Sequence, residues 1–266
     1  MAGVGSVMTA TPTITVASYN MRKAIGTDRR RRPDRVLQVL QEIDADVVAL
    51  QEADKRIGGR GAAMPHELID EHGLYKPVQF RVRHKRTLEG LPGGKQAEKL
   101  FKINTRNLGW HGNALLVKKH VEVMDFAALD LPMLEPRGAV MAELMVGDRP
   151  FRVIGLHLDL SGLWRRRQMR AILEAIDKRP QKMPTVLMGD TNEWRTAAGC
   201  LTDLNGSYRI APTGLSFHSR RPVAALDRII VDQSLAIEAA GVHASPSART
   251  ASDHLPIWAR LALPTG

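Results

Sequence analysis

The chain has 266 residues, 44% of them apolar, enough for one substantial core, so a single domain over residues 1–266 is expected, with 1–12 flexible. One cysteine, Cys200, excludes an internal disulfide framework and fits a reducing compartment, and no run of roughly 18 apolar residues offers a membrane span. The net charge of +10 is concentrated: residues 22–35 hold seven Lys/Arg against two acids and residues 76–106 nine against two, so these segments carry +5 and +7 and the remainder is about neutral.

In chain order, the opening "MAGVGSVMTATPTITV" lacks the basic and compact apolar regions of a secretory signal, so the cytoplasm is the expected compartment; a monomer is expected as well. "ITVASYN" (14–20) reads as a strand. Pro33-Asp34 opens a helix that turns Val36, Val39, Leu40 and Ile43 inward. "DVVALQE" (46–52) is a buried strand, and residues 81–107 form a basic excursion without a convincing period. "GNALLVKK" (112–119) and "AVMAELMV" (139–146) read as strands expected to pair antiparallel. "FRVIGLH" (151–157) is another strand. A helix follows, with Met169, Ile172, Leu173 and Ile176 inward and Arg165, Arg166, Arg167 and Arg170 around its start. "PTVLMGD" (184–190), "LDRIIVD" (226–232) and "HLPIWARLAL" (254–263) complete the strands.

The apolar runs are bounded by polar residues: Asn20, Glu52, His157 and Asp190 with Asn192 at their ends, Asp227 and the pair Asp253-His254 before their starts. Singly these are turn, cap or solvated residues. Together they are harder to explain by stability, which gives no reason to place carboxylates and imidazoles where buried strands end. Asn20, Glu52 and Asp253 are hard oxygen donors suited to Mg²⁺ or Mn²⁺, and no His/Cys cluster suggests zinc. Asp227 and His254 make a carboxylate–imidazole pair, and with Asp190 and the Asn192 amide they describe hydrolysis of a phosphate ester.

At these residues the chain resembles the endonuclease/exonuclease/phosphatase superfamily, the deoxyribonuclease I-like group. "SYNMR", "ALQE", "GNALLV", "GLHLDL", "GDTNE", "LDRIIV" and "SDHLPI" occur in the family's order from about residue 15 to 260. The resemblance implies an α/β fold, a four-layer α/β/β/α sandwich of two packed mixed, mainly antiparallel sheets flanked by helices. It implies Glu52 as the principal metal ligand beside Asn20 and Asp253. Asp190 and Asn192 then orient the attacking water, His254 held by Asp227 contacts the phosphate, and His157 lies near the leaving group. Whether Asp190 or His254 takes the proton stays open. Arg22 stands where abasic-site enzymes of the family carry an acid, removing one metal ligand.

The expected activity is a divalent-metal-dependent phosphodiesterase, foremost a nuclease on DNA, with the basic segments 22–35 and 76–106 on the polyphosphate. One alternative is a phospholipid or small phosphate-ester substrate, with the basic patch on an anionic lipid surface and no integral membrane segment. Another is a non-catalytic phosphate-binding module. Trp194, two residues after Asn192, is the best candidate to stack on a base, and Arg137 is divided between the phosphate and a surface role.

Overall fold

The structure is a computed structural model that describes residues 12–54, 62–78, 111–132, 137–196, 198–204 and 206–264. The flexible start expected at 1–12, except Pro12, the basic excursion 81–107 and most of the basic segment 76–106 lie outside the described residues.

Among the described residues, twelve strands form two six-stranded mixed sheets. The first joins β1 (Thr13–Asn20), β2 (Val47–Gln51), β3 (Lys76–Pro77), β4 (Ala114–Val117), β11 (Ala236–Val242) and β12 (Ile257–Ala262), in the order β11-β12-β1-β2-β4-β3. The second joins β5 (Glu122–Leu129), β6 (Ala139–Val146), β7 (Arg149–His157), β8 (Thr185–Asp190), β9 (Tyr208–Ile210) and β10 (Asp227–Asp232), in the order β5-β6-β7-β8-β10-β9. Each sheet has one parallel pair, β1/β2 and β7/β8, bridged by a helix: α1 (Pro33–Ile43) in the first and α3 (Gly162–Asp177) in the second. A parallel pair needs such a crossover, and Pro33 at the first helical positions with Asp34 in the first turn starts α1 where the sequence placed it.

Alternation along the strands makes three apolar layers. Ile14, Val16, Val47, Ala49, Val153, Val186, Met188 and Ile229 belong to a cluster shared by both sheets, the core between them. The opposite parity, Ala17, Tyr19, Val48 and Leu50, packs on α1, on α2 (His66–His72) and on α4 (Pro246–Ala251). Ile154, Leu156, Leu187 and Ile230 pack on Met169, Ile172 and Ile176 of α3 and on the 3₁₀ turn Gly199–Leu204. The result is the expected four-layer sandwich. Among the described residues no helix is long and apolar enough to cross a membrane.

One pairing differs from expectation. Residues 114–117 and 139–146 do not pair but lie in different sheets: β4 lies between β2 and β3, and β6 between β5 and β7. The overlooked partner β5 is an edge strand with most of its side chains exposed or half-buried, so it carries no apolar run to read. The last strand starts at Ile257 rather than at His254, because Leu255-Pro256 carries the chain from the site into the sheet.

Candidate active site

The same alternation that builds the inter-sheet core delivers the site. Asn20 continues the parity of Ile14 and Val16, His157 that of Phe151 and Val153, Asp190 that of Val186 and Met188, and Asp227 that of Ile229 and Val231. Four strands therefore carry a polar side chain at one end, on the face that is apolar along the rest of the strand. Register brings three together: His157 lies opposite Asp190 in the β7/β8 pair, and Asp227 opposite Asp190 in the β8/β10 pair.

Gly189 makes this alignment possible. A Cβ there would lie 1.8 Å from the Leu156 carbonyl oxygen, so β7 and β8 approach this closely only without a side chain. The glycine before Asp190 is a packing requirement of the strand that positions it.

Asp190 is buried, and its Oδ2 accepts from Asn20 Nδ2 at 3.0 Å while Oδ1 accepts from the Asn192 backbone N–H at 2.9 Å. His254 lies between two carboxylates, with Nδ1 2.8 Å from Asp227 Oδ2 and Nε2 3.8 Å from Asp190 Oδ2. Asp227 is fully buried, its Oδ2 also accepts from Ser216 Oγ at 2.5 Å, and its Oδ1 has no hydrogen-bond partner among the described residues. Burial alone would lower the pKa of His254, but Asp227 first, with Asp190 and Asp253 behind it, raises it to about 10. Burial, then the Asp227 charge, pushes Asp190 up to about 6. At neutral pH the imidazole is an imidazolium and Asp190 is a carboxylate.

His157 Nε2 is 3.5 Å from Asp190 Oδ2 and in contact with Arg137 Nη1, which also donates to the Leu158 carbonyl at 3.2 Å. Arg137, divided between two roles by the sequence, is buried against this histidine. A guanidinium only donates, so Arg137 faces this ring nitrogen as a donor. Asn192 is held at φ 50° with one amide N–H committed to the Leu158 carbonyl at 2.9 Å, which leaves its second N–H for another acceptor.

The three expected metal donors surround a single turn. Arg22 N–H donates to Asn20 Oδ1 at 3.1 Å, Arg22 Nε lies 3.2 Å from Asp253 Oδ2, and Lys23 Nζ is paired with Glu52 Oε2. Asn20, Glu52 and Asp253 offer hard oxygens, and the two carboxylates are about a fifth exposed, each engaged with a cation. That donor chemistry fits a hard divalent ion. Asp190, Asp227 and His254 form a tighter trio, with ligand atoms all within 4.8 Å of one another, the one such group of His, Cys, Asp or Glu among the described residues. Its imidazole is occupied by the Asp227 hydrogen bond, which suits an acid–base role better than ligation.

The turn itself is unusual. Arg22, Lys23 and Ala24 have φ of 46°, 56° and 59°, three successive side-chain-bearing residues in the left-handed region, and Glu52 opposite has φ 52°. Such backbone costs about 1–2 kcal/mol per residue, whereas a partly exposed ion pair returns about 0–1 kcal/mol.

Sequence reasoning missed Ser216, whose hydroxyl fixes Asp227, Ser252, whose Oγ donates to the Asn20 carbonyl at 2.7 Å, and Lys23. Ser252 stands inside the quoted "SDH" and could have been singled out; Ser216 carries no local signal. Glu193 is buried and paired with Arg165 at 3.2 Å, so one of the arginines after His157 is partly committed to holding the loop that bears Asn192. Trp194 is 61% exposed and meets Phe217 edge-on at 6.2 Å, and Phe217 lies 4.9 Å from the His254 ring.

The sequence model of the Endonuclease/Exonuclease/phosphatase family matches residues 17–254. The uncharacterized protein YbhP of Escherichia coli K12 is 25% identical over 169 residues, which cover 58% of this chain and 64% of YbhP, so the match spans less than two thirds of that relative. An endonuclease/exonuclease/phosphatase from Bacteroides vulgatus superposes with a TM-score of 0.71 at 18% identity, covering 95% of this chain and all of the other. D. rerio TDP2, complexed with a single-strand DNA product, superposes with a TM-score of 0.68 at 16% identity, covering 94% and 98%.

Proposed function

Because this chain belongs to the endonuclease/exonuclease/phosphatase family, whose members hydrolyse phosphoester bonds, we propose that it is a divalent-metal-dependent phosphodiesterase that cleaves nucleic acid, DNA foremost. The observation that carries this reading is the trio of Asp190, His254 and Asp227, with the imidazole seated between a fully buried carboxylate and one that is ionised at neutral pH.

The roles follow from the protonation states. Asp227 holds Nδ1–H of His254 and keeps the ring charged, so Nε2–H is a cationic donor for a phosphoryl oxygen. A group held as imidazolium does not accept a proton, which leaves Asp190 as the base that orients and deprotonates water. Asn20 fixes one oxygen of Asp190, and the second N–H of Asn192 is a neutral donor for the developing charge. His157 and Arg137 together place a cation beside Asp190 on the leaving-group side. Glu52 and Asp253, with Asn20, are the residues that would hold Mg²⁺ or Mn²⁺, which supplies Lewis-acid polarisation of the phosphoryl group when bound. On a polynucleotide, the exposed arginines Arg29, Arg30 and Arg31 of segment 22–35 and Arg166 and Arg167 near the start of α3 engage neighbouring phosphates.

One observation favours a second substrate class. Leu160, Leu163, Trp194, Leu215 and Val223 are exposed by 49–62% and lie on the segments that follow His157, follow Asn192 and precede Asp227. The sequence shows no amphipathic apolar segment to insert in a membrane, yet the chain segments next to the site residues, the first turn of α3 among them, expose apolar side chains, as a phospholipid substrate would require. Plasmid, single-stranded oligonucleotide, abasic duplex, phospholipid vesicles and bis-p-nitrophenyl phosphate, each with Mg²⁺ and with EDTA, separate the readings. The nuclease reading expects metal-dependent cleavage of the nucleic acids that is lost in His254→Ala. Turnover of vesicles alone would transfer the reading to lipid, and full turnover in EDTA would remove the metal.

A further inference from the structure

The left-handed turn at Arg22–Ala24 is tied down on both sides. Met21 N–H donates to the Gln51 carbonyl and Lys23 N–H to the Glu52 carbonyl, both at 3.1 Å, while Arg32 N–H reaches the Ala24 carbonyl at 2.8 Å. These bonds lock β1's continuation against the end of β2 and present two consecutive cationic side chains to two carboxylates from distant parts of the chain. The ion pairs return less than the turn costs, so stability does not explain the turn, and backbone strain retained by surrounding bonds marks a functional arrangement.

We propose that Arg22 and Lys23 form a resident cation clamp on Asp253 and Glu52, which a divalent ion must displace in order to bind. The proposal rests on the reading of Glu52 and Asp253 as metal donors. Without metal, the clamp neutralises two carboxylates that would otherwise repel each other and Asp190, and so keeps the site assembled. Metal loading is then an exchange of cations rather than a simple addition. The released ammonium and guanidinium remain at the rim, where a substrate phosphate is the anion they meet next. Metal affinity is thereby set below what the oxygen donors alone would give, and it responds to the presence of an anionic substrate.

The test is a titration of the full chain, stripped of metal by chelation and dialysis, with Mn²⁺ in the absence of substrate, followed by calorimetry and by the Mn²⁺ electron-spin signal. Lys23→Met and Arg22→Met are each expected to bind Mn²⁺ about tenfold more tightly than the parent, the effect of removing one competing unit charge near the ion. Lys23→Arg, which keeps the charge, should stay near the parent value. Metal-free Lys23→Met should also melt below the metal-free parent, and Mn²⁺ should close the gap. Wild-type or weaker Mn²⁺ affinity in both folded methionine variants overturns the clamp. Glu52→Gln separates this failure from that of the underlying reading. If it abolishes Mn²⁺ binding, the metal assignment stands whatever the clamp variants do. If it binds like the parent, or if no form binds Mn²⁺, both fall together.

Discussion

Asp227→Asn removes one charge while keeping the shape of a fully buried side chain, and it isolates what that charge does. Asp227 is the largest influence raising His254, burial opposes it, and without Asp227 the ring should fall from about 10 to its ordinary 6.5 or below. That is a drop of about 3.5 pH units, on the order of 5 kcal/mol of imidazolium stabilisation. Asp190 should fall with it, since Asp227 also raises its pKa. The parent should therefore be active between an acid limb near pH 6, where Asp190 loses its proton, and an alkaline limb near pH 10, where His254 does. In the variant both limbs move toward acid, and at pH 8 kcat should be lower by about 10²- to 10³-fold, the cost of losing one charged donor to the reacting group. Stability has a definite sign. A histidine raised above its ordinary 6.5 contributes fully below that value, and the contribution fades as pH rises through about 10. Asp190 acts oppositely: its ionisation costs the fold nothing below its ordinary 3.8 and the full amount above about 6. Nitrogen-15 spectra of the histidine rings across pH 5 to 11, taken in EDTA, read the titration directly. A neutral His254 at pH 8 in the parent, or a variant whose pH profile does not move, would refute the assignment of roles.

Glu52→Gln should lose at least two orders of magnitude in metal-dependent rate while melting within a few degrees of the parent, since its side chain lies at the partly exposed rim; calorimetric scans beside the assay check both. Gly189→Ala should fail to give soluble folded protein or should lose activity, because its methyl group meets the Leu156 carbonyl at 1.8 Å; a normal melting curve with full activity would contradict the strand geometry. Arg152, 1% exposed and bonded to Glu143 and to the Gln181 carbonyl at the far end of β7, is a control: Arg152→Met should cost about 3–5 kcal/mol in denaturant unfolding and leave kcat of the folded fraction unchanged. If the exposed arginines grip a polynucleotide, oligonucleotide affinity measured by anisotropy should fall linearly with log salt, and the combined replacement of Arg29, Arg30 and Arg31 by Gln should flatten that slope; a slope unchanged by the replacement would take segment 22–35 out of the interface.

The local pattern was enough to find β1, β2, β8, β10 and both crossover helices, because a buried strand between two apolar layers must be apolar at nearly every position. The same property marks where the burial stops, which is why Asn20, Glu52, His157, Asp190, Asp227 and Asp253 with His254 were readable as strand-end residues. The edge strands β5 and β11 were not, since a strand with one bonded neighbour and one wet face needs no such run. Nor was the partner of β6, because pairing is a choice among distant segments and the sequence of one strand does not encode it.

The identity and order of the polar groups thus belong to the sequence, since each is fixed by where an apolar run begins or ends. Their relation to one another was decided only on folding. A Coulomb interaction depends on distance and dielectric, and the 2.8 Å between His254 and Asp227, the contact of Arg137 with His157 and the pairing of Lys23 with Glu52 join residues that nothing in the linear order brings together. Which carboxylate is the base and which cation lies on which oxygen are therefore properties of the packed sheets.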